Sequence, residues 1–160
     1  MRYIIIVLLA LAALLYCSIE SLAQDKKSKA NSDSLAVQKA AEDFIVAFNN
    51  LEWEKFRNSF SNDATVFFPF IQAPHRANGR AEVEPLFKQV FDGLKKRKPN
   101  PPYQNIQPKD VQIQMLKDVA ILTFHLPGDD TFGRRTFVFR KQNGKWLIAH
   151  LHASIFVKPK

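Results

Sequence analysis

Cysteine is nearly absent from this chain of 160 residues: Cys17 stands alone, which excludes an intramolecular disulfide and a metal cluster built on cysteine. Glycine is scarce as well, with 5 residues. The chain has no glycine or proline repeat of a fibrous protein and no periodic unit of a solenoid. It lacks the Gly-x-Ser-x-Gly elbow that would support a Ser–His nucleophile pair. Charge is not extreme, at 24% of residues against 46% hydrophobic, so a wholly disordered chain is excluded. What is present in quantity is phenylalanine, 14 residues, and a formal net charge of +8. The length fits one domain.

The first residues read as an address. Met1-Arg2-Tyr3 is a short basic start, and Ile4 to Leu15 is an unbroken apolar run of the length used in secretory signals. Ser21-Leu22-Ala23 then supplies small residues at the two positions a signal peptidase reads. Cleavage after Ala23 is expected, giving a periplasmic or secreted protein that begins at Gln24. The alternative is an uncleaved anchor, for which the run is short against the roughly 20 apolar residues of a spanning helix. Contact with a membrane is expected only in that case. Acylation of Cys17 is disfavoured by the bulky Tyr16 where a small residue belongs. Export removes nucleic acid as a partner, and the basic run Lys95-Lys96-Arg97-Lys98 has no interleaved aromatics to suggest a nucleic-acid groove.

Residues 24–33 are polar and lysine-rich without periodicity, and read as a flexible tether; the domain proper is expected over 34–157. Val37, Ala41, Phe44, Ile45, Phe48 and Leu51 form one helical stripe, with Ser32, Asp33 or Ser34 available to cap its start. Asn49-Asn50 breaks this helix, and a short second one carries Trp53, Phe56 and Phe60. Ala64 to Phe68 reads as a strand. A third helix has its stripe at Val83, Leu86, Phe87, Val90, Phe91 and Leu94. Pro85 either places its start at Glu84 or kinks it. Four strands follow, over 111–116, 119–126, 132–141 and 145–157. Helices first and a meander afterwards indicate an α+β fold, with helices on one face of a mostly antiparallel sheet.

The Asn143-Gly144 turn permits a register argument, because both residues tolerate positive φ. A two-residue loop pairs Gln142 with Lys145 and Lys141 with Trp146. Counting outward sets Phe139 opposite Ile148, Phe137 opposite His150 and Arg135 opposite His152. Paired and alternate residues share a face. One face therefore carries Arg135, Phe137, Phe139, Trp146, Ile148, His150, His152 and Ser154, a mixture of aromatics and converging polar groups suited to a small-molecule pocket. The other carries Leu147, Ala149, Leu151, Ala153 and Ile155, suited to packing against a second subunit. A slip of one residue exchanges the two descriptions.

The sequence resembles the SnoaL-like branch of the nuclear-transport-factor-two-like superfamily over nearly all of 34–157. The resemblance rests on the long first helix, the Trp-bearing second helix, the strand Asp63-Ala64-Thr65-Val66-Phe67, Gly79-Arg80 opening a third helix, and the ending from Asn143 to Ser154. That ending is similar to the closing strand of the association domain of calcium/calmodulin-dependent kinase two. The resemblance implies a cystatin-like cone of three helices on a curved sheet around an apolar pocket, often as a homodimer through the sheet. Its relatives include enzymes, assembly domains and proteins of unknown activity, so it leaves the function open. Steroid isomerases of this kind use pocket carboxylic acids and a tyrosine. Here the expected pocket face has no carboxylate, and Tyr103 lies in a proline-rich loop.

His150 and His152 point the same way about 7 Å apart along a strand. They are candidates for acid–base catalysis, or are hydrogen-bonded residues of a pocket; a third metal ligand is missing, and neither metal nor cofactor is expected. Arg135 beside them favours a carboxylate or other anion. Ser154 is placed to orient a histidine or a ligand, and Trp53 is assigned to the pocket mouth. The leading expectation is an exported domain that binds a small, partly apolar, anionic ligand through Arg135, Phe137, Phe139, His150, His152, Ser154 and Trp53. The alternatives are a histidine-dependent lyase, isomerase or hydrolase, and a non-catalytic assembly module.

Overall fold

The computed structural model describes residues 28–158. The signal segment and residues 24–27 of the tether lie outside the described residues. The chain divides into two compact units, 1–35 and 36–160. Of the first, the described residues 28–35 are helical; the second unit holds the sheet.

Helix α1 (28–49) is helical from the first described residue, so Ser32, Asp33 and Ser34 lie within it and not at its cap. Of the expected stripe Val37, Ala41, Phe44 and Leu51 are buried and Ile45 and Phe48 half-buried; Ala47, not foreseen, is buried with them. The end is set one residue past the Asn49-Asn50 pair. Leu51 takes a left-handed φ of 54°, its N–H donates to the carbonyl of Phe48, and the Glu52 N–H donates to that of Ala47. This double closure satisfies carbonyls that a helix end leaves free.

Helix α2 (Trp53–Arg57) leads into strand β1 (Phe60–Phe67), which starts four residues earlier than the sequence indicates. Phe60 thus belongs to the sheet. A two-residue strand β2 (Ala77–Asn78), not foreseen, precedes helix α3 (Gly79–Arg97). Gly79 has a φ of 67°, a conformation glycine adopts without strain, and lies where the chain turns from β2 into the helix. Glu82 accepts a hydrogen bond from the Asn78 N–H (2.8 Å) and so closes the first turn. The helix therefore starts well before Glu84, and Pro85 lies inside it. Strands β3 (Lys109–Leu116), β4 (Val119–Pro127), β5 (Thr131–Gln142) and β6 (Lys145–Val157) follow, within two residues of the expected bounds.

The sheet order is β2-β1-β6-β5-β4-β3. Only β1 and β6 run parallel; the other pairs are antiparallel. The protein is α+β, with the helices on one face of a mostly antiparallel sheet. That face carries Ala120, Leu122, Phe124, Phe137, Phe139, Ile148, Leu151 and Ala153, all buried. The core is largely a cluster of rings. Phe56, 1% exposed, meets Phe44, Phe48, Trp53, Phe60, Phe87 and Phe91 at centroid distances of 4.7 to 6.1 Å, within the range favoured by aromatic pairs.

The β5–β6 hairpin follows the expected register from Gln142–Lys145 to Phe139–Ile148 and then departs from it. The next pair is Val138–His150, followed by Phe137–Leu151, Thr136–His152 and Arg135–Ala153. Ala149 is an extra residue opposite the Val138–Phe139 step, a β-bulge. Because side chains alternate with a period of two, one extra residue reverses the facing of everything beyond it. Strand β1 is irregular at the same level, its register shifting between Phe60 and Thr65. There the Ile148 N–H donates to the Ser59 carbonyl (2.8 Å) and the Ser61 hydroxyl to the Ile148 carbonyl (3.3 Å).

Candidate functional site

Between α1, α3 and the inner sheet face lies a cavity of about 550 Å³, within the usual span for small-molecule sites. Its wall is mainly apolar. Helix α1 contributes Phe44 and Phe48, α3 contributes Phe87 and Val90, and the segment after β1 contributes Phe68 and Phe70. The sheet adds Phe124, Phe137, Leu151 and Ala153. The polar side chains of the wall are Gln89, Gln104, Arg97 and Arg135. Gln89, Arg97 and Ile155 are exposed, whereas Arg135 is half-buried, so the first three mark the mouth and Arg135 lies deeper.

The bulge decides which expected site residues meet there. Arg135 and Phe137 lie on β5, whose alternation is unbroken, and line the cavity. Phe139 shares their face but is 1% exposed and packed within the core beside Phe137, and it does not line the cavity. His150, His152 and Ser154 are corrected to the opposite face of the sheet, where they pair with Val138, Thr136 and Arg134. Leu151 and Ala153 take the inward places. Trp53 is also corrected: it does not line the cavity, because it packs against Phe56 (6.1 Å) and edge-on to Phe91 (5.7 Å), with the Lys88 ammonium 5.2 Å from its ring centroid.

Arg135 is fixed by its backbone surroundings. Its Nη1 donates to the carbonyls of Arg134 (2.9 Å) and Ser154 (3.1 Å). Ser154 thus reaches the site through its carbonyl, although its side chain faces away. Burial pulls the Arg135 guanidinium below the ordinary arginine value, because an ion is less stable away from water. No carboxylate lines the cavity among the described residues. The sequence holds only a weak signal for the remaining wall residues. Phe68 closes the expected strand but lies one residue past the end of β1, Phe70 lies in the loop that opens at Pro69, and Gln104 follows the proline-rich stretch.

On the outer face, the Thr65 hydroxyl and His150 Nδ1 are hydrogen-bonded at 2.7 Å. The Phe67 ring contacts both His150 (5.9 Å) and His152 (5.5 Å). The His150 pKa is lowered, first by burial and then by the positive charge of His152 and Arg76. No group of three or more metal-ligating side chains occurs among the described residues. Asp63 pairs with Arg140 (2.6 and 2.9 Å) at the level of the β5–β6 turn. That hydrogen bond comes first, and the one from Ser61 second, in holding its carboxyl below the usual range.

A search of curated proteins finds no sequence match. Among solved structures, an NTF2-like family protein from Streptomyces avermitilis, proposed to be a dehydratase, is similar with a TM-score of 0.68 at 18% identity, covering 81% of this chain and 99% of its own. A protein with a cystatin-like fold from Caulobacter vibrioides gives 0.61 at 17% identity, with 79% and 90% covered. The association domain of CaMKII from C. elegans gives 0.56 at 11% identity, with 79% and 98% covered. Likeness at these identities speaks to the fold. The SnoaL-like domain family matches residues 37–158, which span every strand of the sheet, α2, α3 and most of α1, and the chain belongs to that family.

Proposed function

We propose that this protein binds a small, partly apolar, anionic ligand in the cavity between its helices and its sheet. The observation that carries the reading is Arg135, a half-buried cation in an apolar wall without an acidic partner among the described residues. A buried charge is costly unless paired, and a bound anion would supply the missing partner. Turnover by histidine is not favoured, since His150 and His152 face away from the cavity. The wall side chains (Phe, aliphatics, Gln and Arg) include none that changes protonation near neutral pH.

The test is calorimetric titration of the full chain with an anionic naphthalenesulfonate dye and with its uncharged parent hydrocarbon. Saturable binding of the anion that is lost in Ala153→Trp, which fills the cavity opposite Arg135, is the expected result. Equal binding to wild type and Ala153→Trp would refute the reading.

Assembly is the second reading, and its support is the outer sheet face. Phe67, Leu116 and Phe156 are 37%, 56% and 51% exposed there, around half-buried Thr136, Val138 and His150. Exposed apolar area of this kind marks interaction surfaces, and a second copy of this chain through the sheet is the occupant we propose. Export to the periplasm or beyond, with cleavage after Ala23, is proposed from the basic start and apolar run of residues 1–23; the amino-terminal sequence of the protein recovered from its native host tests it.

A further inference from the structure

We infer that the ligand is a monocarboxylic acid whose carboxylate is received side-on by the Nε–Nη2 edge of Arg135. This rests on the proposed binding reading and goes beyond it by naming the anion.

The geometry of the guanidinium carries the inference. Both protein hydrogen bonds of Arg135 leave from Nη1, to the carbonyls of Arg134 and Ser154. Those carbonyls belong to two adjacent strands, so the plane of the group is held from one side by the sheet. Nε and Nη2 have no protein partner among the described residues. They are the two nitrogens whose N–H bonds run parallel on the opposite edge of the fork, the edge that matches the two oxygens of a carboxylate.

Gly133 supports this arrangement. It lies on the same face two residues before Arg135, and a Cβ there would stand 3.2 Å from the Leu126 Cβ and 3.4 Å from Arg135 Nη1. Its missing side chain leaves the guanidinium room against the sheet. The acceptor that completes the fork has to come from a ligand or water, because the neighbouring wall is Phe124, Phe137, Leu126, Leu151 and Ala153. A ligand carboxylate is favoured over water, since charge-assisted bonds strengthen away from solvent.

The rest of the ligand is apolar. The second cation of the wall, Arg97, is exposed at the mouth and donates to the Gly93 carbonyl of its own helix (3.3 Å). Water and salt screen it there, so it attracts an approaching anion without anchoring a second carboxylate. The cavity of about 550 Å³ lies in the range that holds small organic molecules.

The experiment titrates the full chain with decanoate, decanamide, sebacate and decanesulfonate. Decanoate is expected to bind roughly tenfold or more tightly than decanamide or sebacate. The preference for decanoate over decanamide should vanish in Arg135→Gln and shrink several-fold in Arg135→Lys, which keeps the charge and loses the fork. Equal binding of acid and amide by the wild type, tighter binding of sebacate, or a preference that persists undiminished in either variant overturns the inference. The wild-type comparison needs no variant to fold. Binding of decanesulfonate with none of decanoate overturns the carboxylate and leaves the anion reading; failure of every anion overturns both.

Discussion

Phe56 offers the most direct test of how the core is held. It is 1% exposed and touches six other rings, the nearest being Phe87 at 4.7 Å, Phe91 at 4.9 Å and Phe44 at 5.1 Å. Truncating a buried phenylalanine to alanine costs about 3–5 kcal/mol. The upper part of that range is expected, because rings from α1, α2, α3 and β1 surround the void and collapse of one would open gaps beside the others. Phe56→Leu keeps the position apolar while removing the ring and three carbons. At about 0.8 kcal/mol per buried carbon, roughly 2 kcal/mol is expected from the lost carbons and the ring contacts that go with them. Phe137→Leu is the control, since Phe137 meets three rings and turns one side to the cavity; it should cost less than Phe56→Leu. Urea unfolding followed by circular dichroism measures all three, with m unchanged if only stability moves. The melting point of Phe56→Ala should fall by on the order of 15 °C. A cost below about 2 kcal/mol for Phe56→Ala, or a Phe137→Leu variant weaker than Phe56→Leu, would refute the aromatic cluster as the centre of stability.

Other perturbations follow from single features. Gly144 has a φ of 77° and open space around the position a Cβ would take, with nothing within 4 Å, so Gly144→Ala should cost about 1–2 kcal/mol of left-handed strain alone. Gly93, inside α3 and equally open, should give the opposite sign, with Gly93→Ala stabilising by roughly 0.5–1 kcal/mol; denaturant midpoints of the pair decide both. The lowered pKa of His150 means that the unfolded chain binds its proton first. The associated stability is present above the ordinary histidine value of about 6.5 and is lost as pH falls through the lower folded value. Midpoints between pH 7.5 and 5 should therefore decline more for wild type than for His150→Gln, and parallel curves would contradict the assignment. Val138→Glu, on the outer face, should convert a dimer to monomer in sedimentation velocity without loss of cavity binding; an unchanged oligomer would argue against that face as the contact.

The sequence carried the elements and the hairpin, and lost the site at one residue. Helical stripes named the buried positions of α3 and, apart from Ala47, those of α1, because packing rewards a period of 3.6. Asn143-Gly144 fixed the register as far as Phe139–Ile148 because the turn type leaves little choice. Beyond that point two apolar alternations compete in β6. Leu147, Ala149, Leu151, Ala153 and Ile155 form one; Trp146 and Ile148, followed by a step of three to Leu151, Ala153 and Ile155, form the other. The second is the mark of a bulge, and it puts Leu151 and Ala153 against the core where a regular ladder would bury two imidazoles without an acid. Arg135 remained legible because it lies on β5, which carries no extra residue. The cavity wall from Phe70 and Gln104 was not legible, since irregular segments have no period to read, and Phe68, read as the end of a strand, lies just beyond β1.

The extra residue at Ala149 also governs how this chain can be compared with its relatives. Positions 146–148 and 150–156 obey opposite parity, so a relative whose closing strand lacks the bulge matches this one only with a single-residue gap. Aligned without that gap, its inward-pointing residues would fall on His150 and His152. A chemical role would then pass to the side of the sheet that never meets the cavity.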